Sequence, residues 1–228
     1  MSAVELDAVT VRLGDAVALD AVSLQLDAPR IAVIGENGSG KSTFARVVAG
    51  LIPASSGRVR VLGLDPVRQT AALRPRVAMV FSNPDAQIVM PTVAEDVAFS
   101  LRPQRLPAAE VSARVADALD TFGLTPLADR AAHELSGGQK QLLALCGAFI
   151  RRPELVIADE PTTALDARNS RRIADHLCDD TGHRLVIVTH DLELAERCDI
   201  AVLFAGGRVA RIGEPSDVIA DYEASLRC

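Results

Sequence analysis

Gly35-Glu-Asn-Gly-Ser-Gly-Lys41-Ser42 fits the pattern G-x-x-x-x-G-K-[ST]. It follows a short apolar run, Ile31-Ala-Val-Ile34, and opens a segment of helical periodicity over 41–51, punctuated by Gly50 and Pro53. Strand, glycine-rich turn and helix form the context in which this pattern cradles phosphate. Glycines let the backbone turn tightly enough to aim successive N–H groups at phosphate oxygens. The helix after the loop adds its positive end, about half a charge, at the same point. Gly35, Asn37, Gly38, Ser39, Gly40 and Thr43 are therefore candidate nucleotide-binding positions. Lys41 is expected to reach the β- and γ-phosphates, and the Ser42 hydroxyl to ligate Mg²⁺.

Upstream of the loop, Val4, Leu6, Ala8, Val11 and Leu13, then Val17, Leu19, Val22, Leu24 and Leu26, alternate with polar residues. That period of two predicts antiparallel strands with one buried face. Downstream, strands are predicted over 58–62 and 77–81 and helix over 92–122, where Val111, Val115, Leu119 and Phe122 form an amphipathic stripe. Ser136 is a plausible N-cap for a helix running to about Ile150. The last third alternates strand 155–158, helix 167–180, strand 185–189, a short helix from Asp191, strand 200–204 and a hairpin over 205–207. Alternating strands and helices predict a mostly parallel sheet wrapped by helices. The run Leu155-Val-Ile-Ala-Asp159-Glu160-Pro161 delivers two carboxylates to the C-terminal end of an apolar strand, where ligands bind in open α/β sheets. Beside a phosphate loop, Asp159 becomes the expected Mg²⁺ partner and Glu160 the group that polarises an attacking water.

Hydrophobic residues make up 49% of the 228, aromatics only 3%, and Trp is absent, so the core must be aliphatic. With 24 basic against 30 acidic residues the net charge is −6, which argues against a nucleic-acid-binding surface or adsorption to anionic lipid. The pair Arg151 and Arg152 reads as a solvated helix end. Cys146, Cys178, Cys198 and Cys228 show neither paired nor zinc-ligand spacing and are expected to be free thiols in a reducing compartment. Neither a signal peptide nor an apolar run of about 18 residues is expected.

Leu135-Ser-Gly-Gly-Gln139 fixes the class. The chain resembles the ATP-binding cassette family, whose signature is LSGGQ, and the order of motifs agrees over about residues 4–215. After the phosphate loop come the signature, the Asp-Glu strand, Thr163-Ala-Leu-Asp166 resembling the D-loop, and Val188-Thr-His190-Asp191 resembling the switch-histidine strand. The resemblance implies a P-loop NTPase core of RecA type with an N-terminal antiparallel β subdomain (about 1–90 and 152–228). A helical insertion, about 91–151, carries the signature. It also implies ATP and Mg²⁺ as ligands, with Glu160 and His190 catalytic. Ser136, Gly137, Gly138 and Gln139 face the γ-phosphate held by a second subunit, and Asp166 couples the two sites. His133, His176 and His183 read as structural.

A narrower resemblance lies in Val80-Phe-Ser82-Asn-Pro-Asp85-Ala-Gln87 and Pro91-Thr-Val-Ala-Glu-Asp-Val-Ala-Phe99. These are similar to the ATPase subunits of bacterial energy-coupling factor importers for vitamins and transition-metal ions, with the biotin system favoured. That likeness implies a second ATPase subunit, identical or related, a transmembrane coupling protein, a small membrane substrate-binding protein and no nucleic acid. The chain is then expected at the cytoplasmic face of the inner membrane, coupled through residues 82–105. The alternatives are an ATPase of another transporter type, or a soluble cassette protein or regulator.

Two residues depart from the family pattern. Ser82 stands where a glutamine normally touches Mg²⁺, so a water must bridge or Gln87 must substitute. Leu13 stands where an aromatic normally stacks on adenine. Leucine offers apolar contact without stacking, so discrimination between bases is expected to be poor. The chain should therefore hydrolyse ATP and GTP at comparable rates, and a strong preference for ATP in parallel steady-state assays would refute this assignment for Leu13.

Overall fold

The computed structural model describes residues 2–163, 165–179 and 182–226. Two sheets carry the architecture. The smaller joins β1 (Val4–Leu13), β2 (Ala16–Leu26) and β4 (Ser56–Val61) in the antiparallel order β2-β1-β4. The larger has six strands: β3 (Arg30–Gly35), β5 (Val77–Val80), β6 (Leu155–Asp159), β7 (Arg184–Val188), β8 (Ile200–Ala205) and β9 (Arg208–Gly213). Its order is β5-β6-β7-β3-β8-β9, parallel throughout except for the terminal β8–β9 hairpin. The fold is thus α/β, with a mostly parallel sheet and an antiparallel subdomain.

Alternation along each central strand sorts its side chains into two cores. Ile31, Val33, Ile157, Val186 and Val188 face the small sheet and α1 (Lys41–Val48). Ala32, Ile34, Ala158, Leu185 and Ile187 face the helices on the other side. That second face is rich in alanine, including Ala78 and Ala201, so helices can lie close to the sheet without aromatic filler. Each fully buried Val, Leu or Ile contributes roughly 1.5–3 kcal/mol relative to exposure.

Between β5 and β6 run α3 (Val93–Phe99), α4 (Ala108–Thr121) and α5 (Gly137–Phe149), with α2 (Thr70–Leu73) preceding them. The helix expected over 92–122 is broken at 100–107. A 3-10 turn, Arg102–Gln104, holds Pro103, Arg105 takes a left-handed φ of 52°, and α4 begins only after Pro107. Proline disfavours helical geometry in the residue before it, and two prolines four residues apart end one helix and start the next. The stripe on α4 is inward-facing as its spacing requires, with Val115, Leu119 and Phe122 buried.

After β6 come α6 (Ala167–Cys178), α7 (Leu192–Glu196) and α8 (Pro215–Ser225). The expected extension of α6 to Asp180 lies outside the described residues. α8, which the sequence reading does not reach, starts with Pro215 at its first turn and buries Val218 and Ile219. Cys146, Cys178 and Cys198 are free and buried, and burial pushes the Cys146 and Cys198 thiols up to about 12. Cys228 lies outside the described residues. Among the described residues no helix is long and apolar enough to cross a membrane.

Arg30 fastens the start of β3 to the entry of β8. Its Nη2 donates to Asp199 Oδ1 at 2.8 Å, its Nε to Oδ2 at 3.3 Å, and its backbone N–H to Oδ2 at 2.8 Å. The hydrogen bond from the Arg30 side chain holds the Asp199 carboxyl below the usual carboxylate range. Both side chains are about a third exposed (39% and 32%), so screening limits the pair to about 1 kcal/mol. A depressed carboxylate stabilises the fold above its unfolded pKa of about 4 and loses that contribution as pH falls through the folded value. Asp199→Asn should therefore lower unfolding free energy by about 1 kcal/mol at pH 7. In urea titrations the two proteins should converge as pH drops below about 4; a gap that persists unchanged there would exclude this linkage.

Candidate functional site

The loop after β3 is squeezed between two other strands, and this makes glycine obligatory at two positions. Gly35 has φ 139°, and a Cβ there would lie 2.2 Å from the Phe204 carbonyl oxygen at the end of β8. Gly40 has φ 105°, and a Cβ would lie 2.6 Å from the Ala18 carbonyl oxygen of β2. Both are left-handed geometries that L side chains avoid. The loop is pinned further by Gly207 N–H, which donates to the Ser39 carbonyl at 3.0 Å. Asn37 and Gly38 stand exposed at its crest, while Ser42 and Thr43 are half-buried in the first turn of α1.

Lys41 is only 6% exposed. Its Nζ doubles back to the carbonyls of Gly35 (2.7 Å) and Glu36 (2.8 Å). Burial lowers its pKa, opposed by the nearby Glu160 and Asp159 carboxylates. The Ser39 hydroxyl is buried without a partner in the same loop. A buried ammonium bonded only to carbonyls and an orphaned hydroxyl fit a cradle for a polyanion.

β6 delivers the acidic pair. Asp159, 4% exposed, accepts a hydrogen bond from Ser42 Oγ at 2.9 Å, and burial raises its pKa. Glu160 takes a left-handed φ of 52° as the chain leaves the strand, tied through its N–H to the Val188 carbonyl at 2.8 Å. That turn aims its carboxylate at the end of β7, where His190 Nδ1 lies 2.7 Å from Glu160 Oε2. Thr163 Oγ1 donates to the same oxygen at 3.3 Å. Ser42 and Asp159 oxygens side by side suit a hard divalent cation. Among the described residues no group of three or more His, Cys, Asp or Glu is arranged to hold a metal ion by itself.

Three other motif residues are helix N-caps. Ser136 caps α5 in a reciprocal box: its Oγ accepts from Gln139 N–H at 3.3 Å, and Gln139 Oε1 accepts from Ser136 N–H at 2.9 Å. Asp166 caps α6 by accepting from Asn169 N–H at 2.9 Å, and Asp191 caps α7 by accepting from Leu194 N–H at 3.1 Å. Ala164, within the D-loop-like stretch, lies outside the described residues. The 35–43 loop, Asp159, Glu160 and His190 form one neighbourhood. Among the described residues, no hydrogen bond or ion pair joins residues 136–139 to it. Leu13 stands 49% exposed at the tip of β1.

Gln87 directs its amide to the backbone of its own loop. Its Nε2 donates to the Met79 carbonyl at 2.9 Å and its Oε1 accepts from Phe81 N–H at 2.8 Å, so both ends of the amide staple the loop after β5. Ser82 is exposed, and its side chain makes no hydrogen bond among the described residues. Instead the loop is lashed to α5. Gln141 Nε2 donates to the Phe81 carbonyl at 3.2 Å, and Lys140 Nζ pairs with Asp85 at 2.7 Å. The roles of Gln141, Lys140 and Thr163 went unread, because each depends on contacts far along the chain or on a turn that only the fold creates.

Residues 19–163 match the family described as ABC transporter. The energy-coupling factor transporter ATP-binding protein EcfA1 of Symbiobacterium thermophilum is 44% identical over 213 residues, covering 90% of this chain and 74% of that protein. The biotin transport ATP-binding protein BioM of Rhizobium etli is 39% identical over 219 residues, 96% of this chain and 97% of its own length. Among solved structures, cbiO1 of Clostridium perfringens, described as part of the ABC transporter complex cbiONQ, superposes with a TM-score of 0.86 at 30% identity. The match covers 99% of this chain and 94% of that one.

Glu160 makes its polar contacts at the rim of the site, not within the phosphate loop. Glu160→Gln should therefore leave nucleotide binding within about twofold while lowering hydrolysis by at least about 100-fold. Turnover close to that of the unaltered protein in a phosphate-release assay would remove Glu160 from the chemistry.

Proposed function

The chain belongs to the ABC transporter family, as an ATP-hydrolysing subunit, and from that premise we propose that it powers an importer of the energy-coupling factor type for a vitamin, biotin favoured, or for a transition-metal ion. The likeness to EcfA1 and to BioM, each over 90% or more of this chain, is the observation that carries this reading. The division proposed is a core of about residues 1–90 and 152–228 with a helical unit at about 91–151.

In the proposed reaction Lys41 leaves the Gly35 and Glu36 carbonyls for the β- and γ-phosphate oxygens, and the N–H groups of residues 37–43 close round them. Ser42 and Asp159, already 2.9 Å apart, hold Mg²⁺, which would neutralise charge on the phosphates during transfer. Glu160 accepts a hydrogen bond from the attacking water and polarises it. His190 holds Glu160 through Nδ1 and leaves Nε2 for the γ-phosphate. Leu13 gives the base an apolar contact.

A second copy or a related ATPase completes the site. The N-terminus of α5, with the Ser136 hydroxyl and the N–H groups of Gly137 and Gly138, faces solvent on its Gly137 side and meets nothing in its own phosphate loop. In the proposed head-to-tail pair it caps the γ-phosphate bound by the other subunit, Asp166 lies between the sites, and ATP joins the two.

A groove of about 520 Å³ between α3, α5 and the loop after β5 supports a membrane partner. Met79, Val89, Phe99 and Ala144 line it, and Val89 and Phe99 are 61% and 40% exposed. An apolar patch of that kind suits a helix from a transmembrane coupling protein, which would hold the chain at the cytoplasmic face of the inner membrane. Affinity purification of the tagged chain from detergent-solubilised native membranes should recover a transmembrane scaffold and a small hydrophobic binding protein. The latter's ligand would name the cargo. Recovery of soluble partners alone would remove the transport role and leave the ATPase intact.

A further inference from the structure

The first turn of α5 is open on one side and braced on the other. Around Gly137 an added Cβ would meet nothing within 4 Å. Around Gly138, which is buried, a Cβ would lie 2.6 Å from both Cγ and Nδ2 of Asn169 and 3.0 Å from its Oδ1. The Asn169 amide therefore occupies the volume that any side chain at 138 would need. Its orientation is set by Asp166, whose Oδ1 accepts from Asn169 N–H at 2.9 Å and whose Oδ2 accepts from Asn169 Nδ2 at 2.8 Å. The backbone hydrogen bond from Asn169 holds the Asp166 carboxyl below the usual carboxylate range. The base of this brace is firm as well. One helical turn further on, Arg172 Nη2 donates to the Phe122 carbonyl at the end of α4, at 2.6 Å. Asp166, Asn169 and Gly138 thus form a short chain of fixed contacts from the cap of α6 to the signature turn.

We propose that Asn169 is a positioning residue, holding the Gly138 turn of α5 in place against Asp166 so that the signature of one subunit meets the phosphate bound by the other. This rests on the head-to-tail pairing proposed above. The side chain touches neither nucleotide nor reacting atoms. It acts through Gly138, and movement of the Asp166 cap is passed directly to the turn that donates the phosphate-binding N–H groups. A displacement of about 1 Å in such donors is enough to cost one to two orders of magnitude in rate. Truncation at 169 removes the packing against Gly138 and the side-chain hydrogen bond to Asp166 together.

Because the signature serves the other subunit's nucleotide, the defect must appear in trans. Unaltered chain is held at a concentration too low to pair with itself and mixed with an excess of hydrolysis-deficient Glu160→Gln chain, which supplies an intact signature. Replacing that donor with Glu160→Gln/Asn169→Ala should lower the rate about tenfold. In the reverse arrangement Asn169→Ala is the hydrolysing chain and Glu160→Gln the donor, and the rate should stay within about twofold of the unaltered protein. Loss in the hydrolysing role alone, or equal loss in both roles, overturns the inference, the second because it marks a general folding defect. A size swap supplies an independent reading. Gly138→Ala should be an inactive donor, and Gly138→Ala/Asn169→Ala should recover several-fold over it; no recovery would also overturn the inference. If the Glu160→Gln donor gives the unaltered chain no stimulation at all, the paired arrangement itself is wrong and the inference falls with it.

Discussion

The register of three parallel strands is the constraint on which the site depends. Asp159 on β6 pairs with Val188 on β7, and Val188 pairs with Val33 on β3, so these residues share one row of the sheet. Glu160, His190 and Gly35 lie within two residues of that row. Strands locked in parallel register must end together, so the residues just beyond each of them are delivered to the same edge. A slip of one residue in any of them would turn the side chains of its whole strand to the opposite face, exchanging the alanine-rich helix side for the bulkier small-sheet side. The hydrophobic core therefore also fixes the alignment of the proposed catalytic groups.

Charge in this edge is balanced by proximity, with little help from solvent. Lys41 and Asp159 are both nearly buried, and burial pushes each toward its neutral form, the lysine down and the aspartate up. Each is held by hydrogen bonds from within the loop, Lys41 to two carbonyls and Asp159 to Ser42. In the proposed reaction a triphosphate with its divalent cation would be the stronger partner for both, the phosphate for Lys41 and the cation for Asp159. On that reading the electrostatic cost stored in the fold would become affinity for one kind of ligand.

The signature helix is tied from two directions to segments that border this edge. Lys140 and Gln141 reach the loop after β5, and Gly138 abuts Asn169 in the first turn of α6. The Ser82 side chain, at the family's glutamine position, makes no hydrogen bond among the described residues, and Gln87 spends its amide on the backbone. In this chain the polar links from the β5 loop run to α5, whereas the family pattern places a metal contact there. The residues that link α5 to the loop after β5 differ from those the motif pattern names.

Much was legible from the chain alone. The phosphate loop, the Asp-Glu strand end, the signature and the period-two N-terminus each rest on local rules, such as glycine at a left-handed φ, an N-cap serine or alternation along a strand, and these need only near neighbours. Proline also acts locally, yet the break at 100–107 is masked in the sequence because the apolar pattern on either side reads as helical. Lys140 with Asp85, Gln141 with Phe81, and Asn169 with Gly138 could not be read this way, since 31 to 60 residues separate each pair and nothing in the local pattern marks them. The sequence by itself determined which backbone conformations and which chemical groups are present, because those depend on the residue and its immediate flanks. Tertiary structure alone decided which groups meet, because a meeting between distant residues depends on how whole strands and helices pack, and packing is set by the summed burial of both cores.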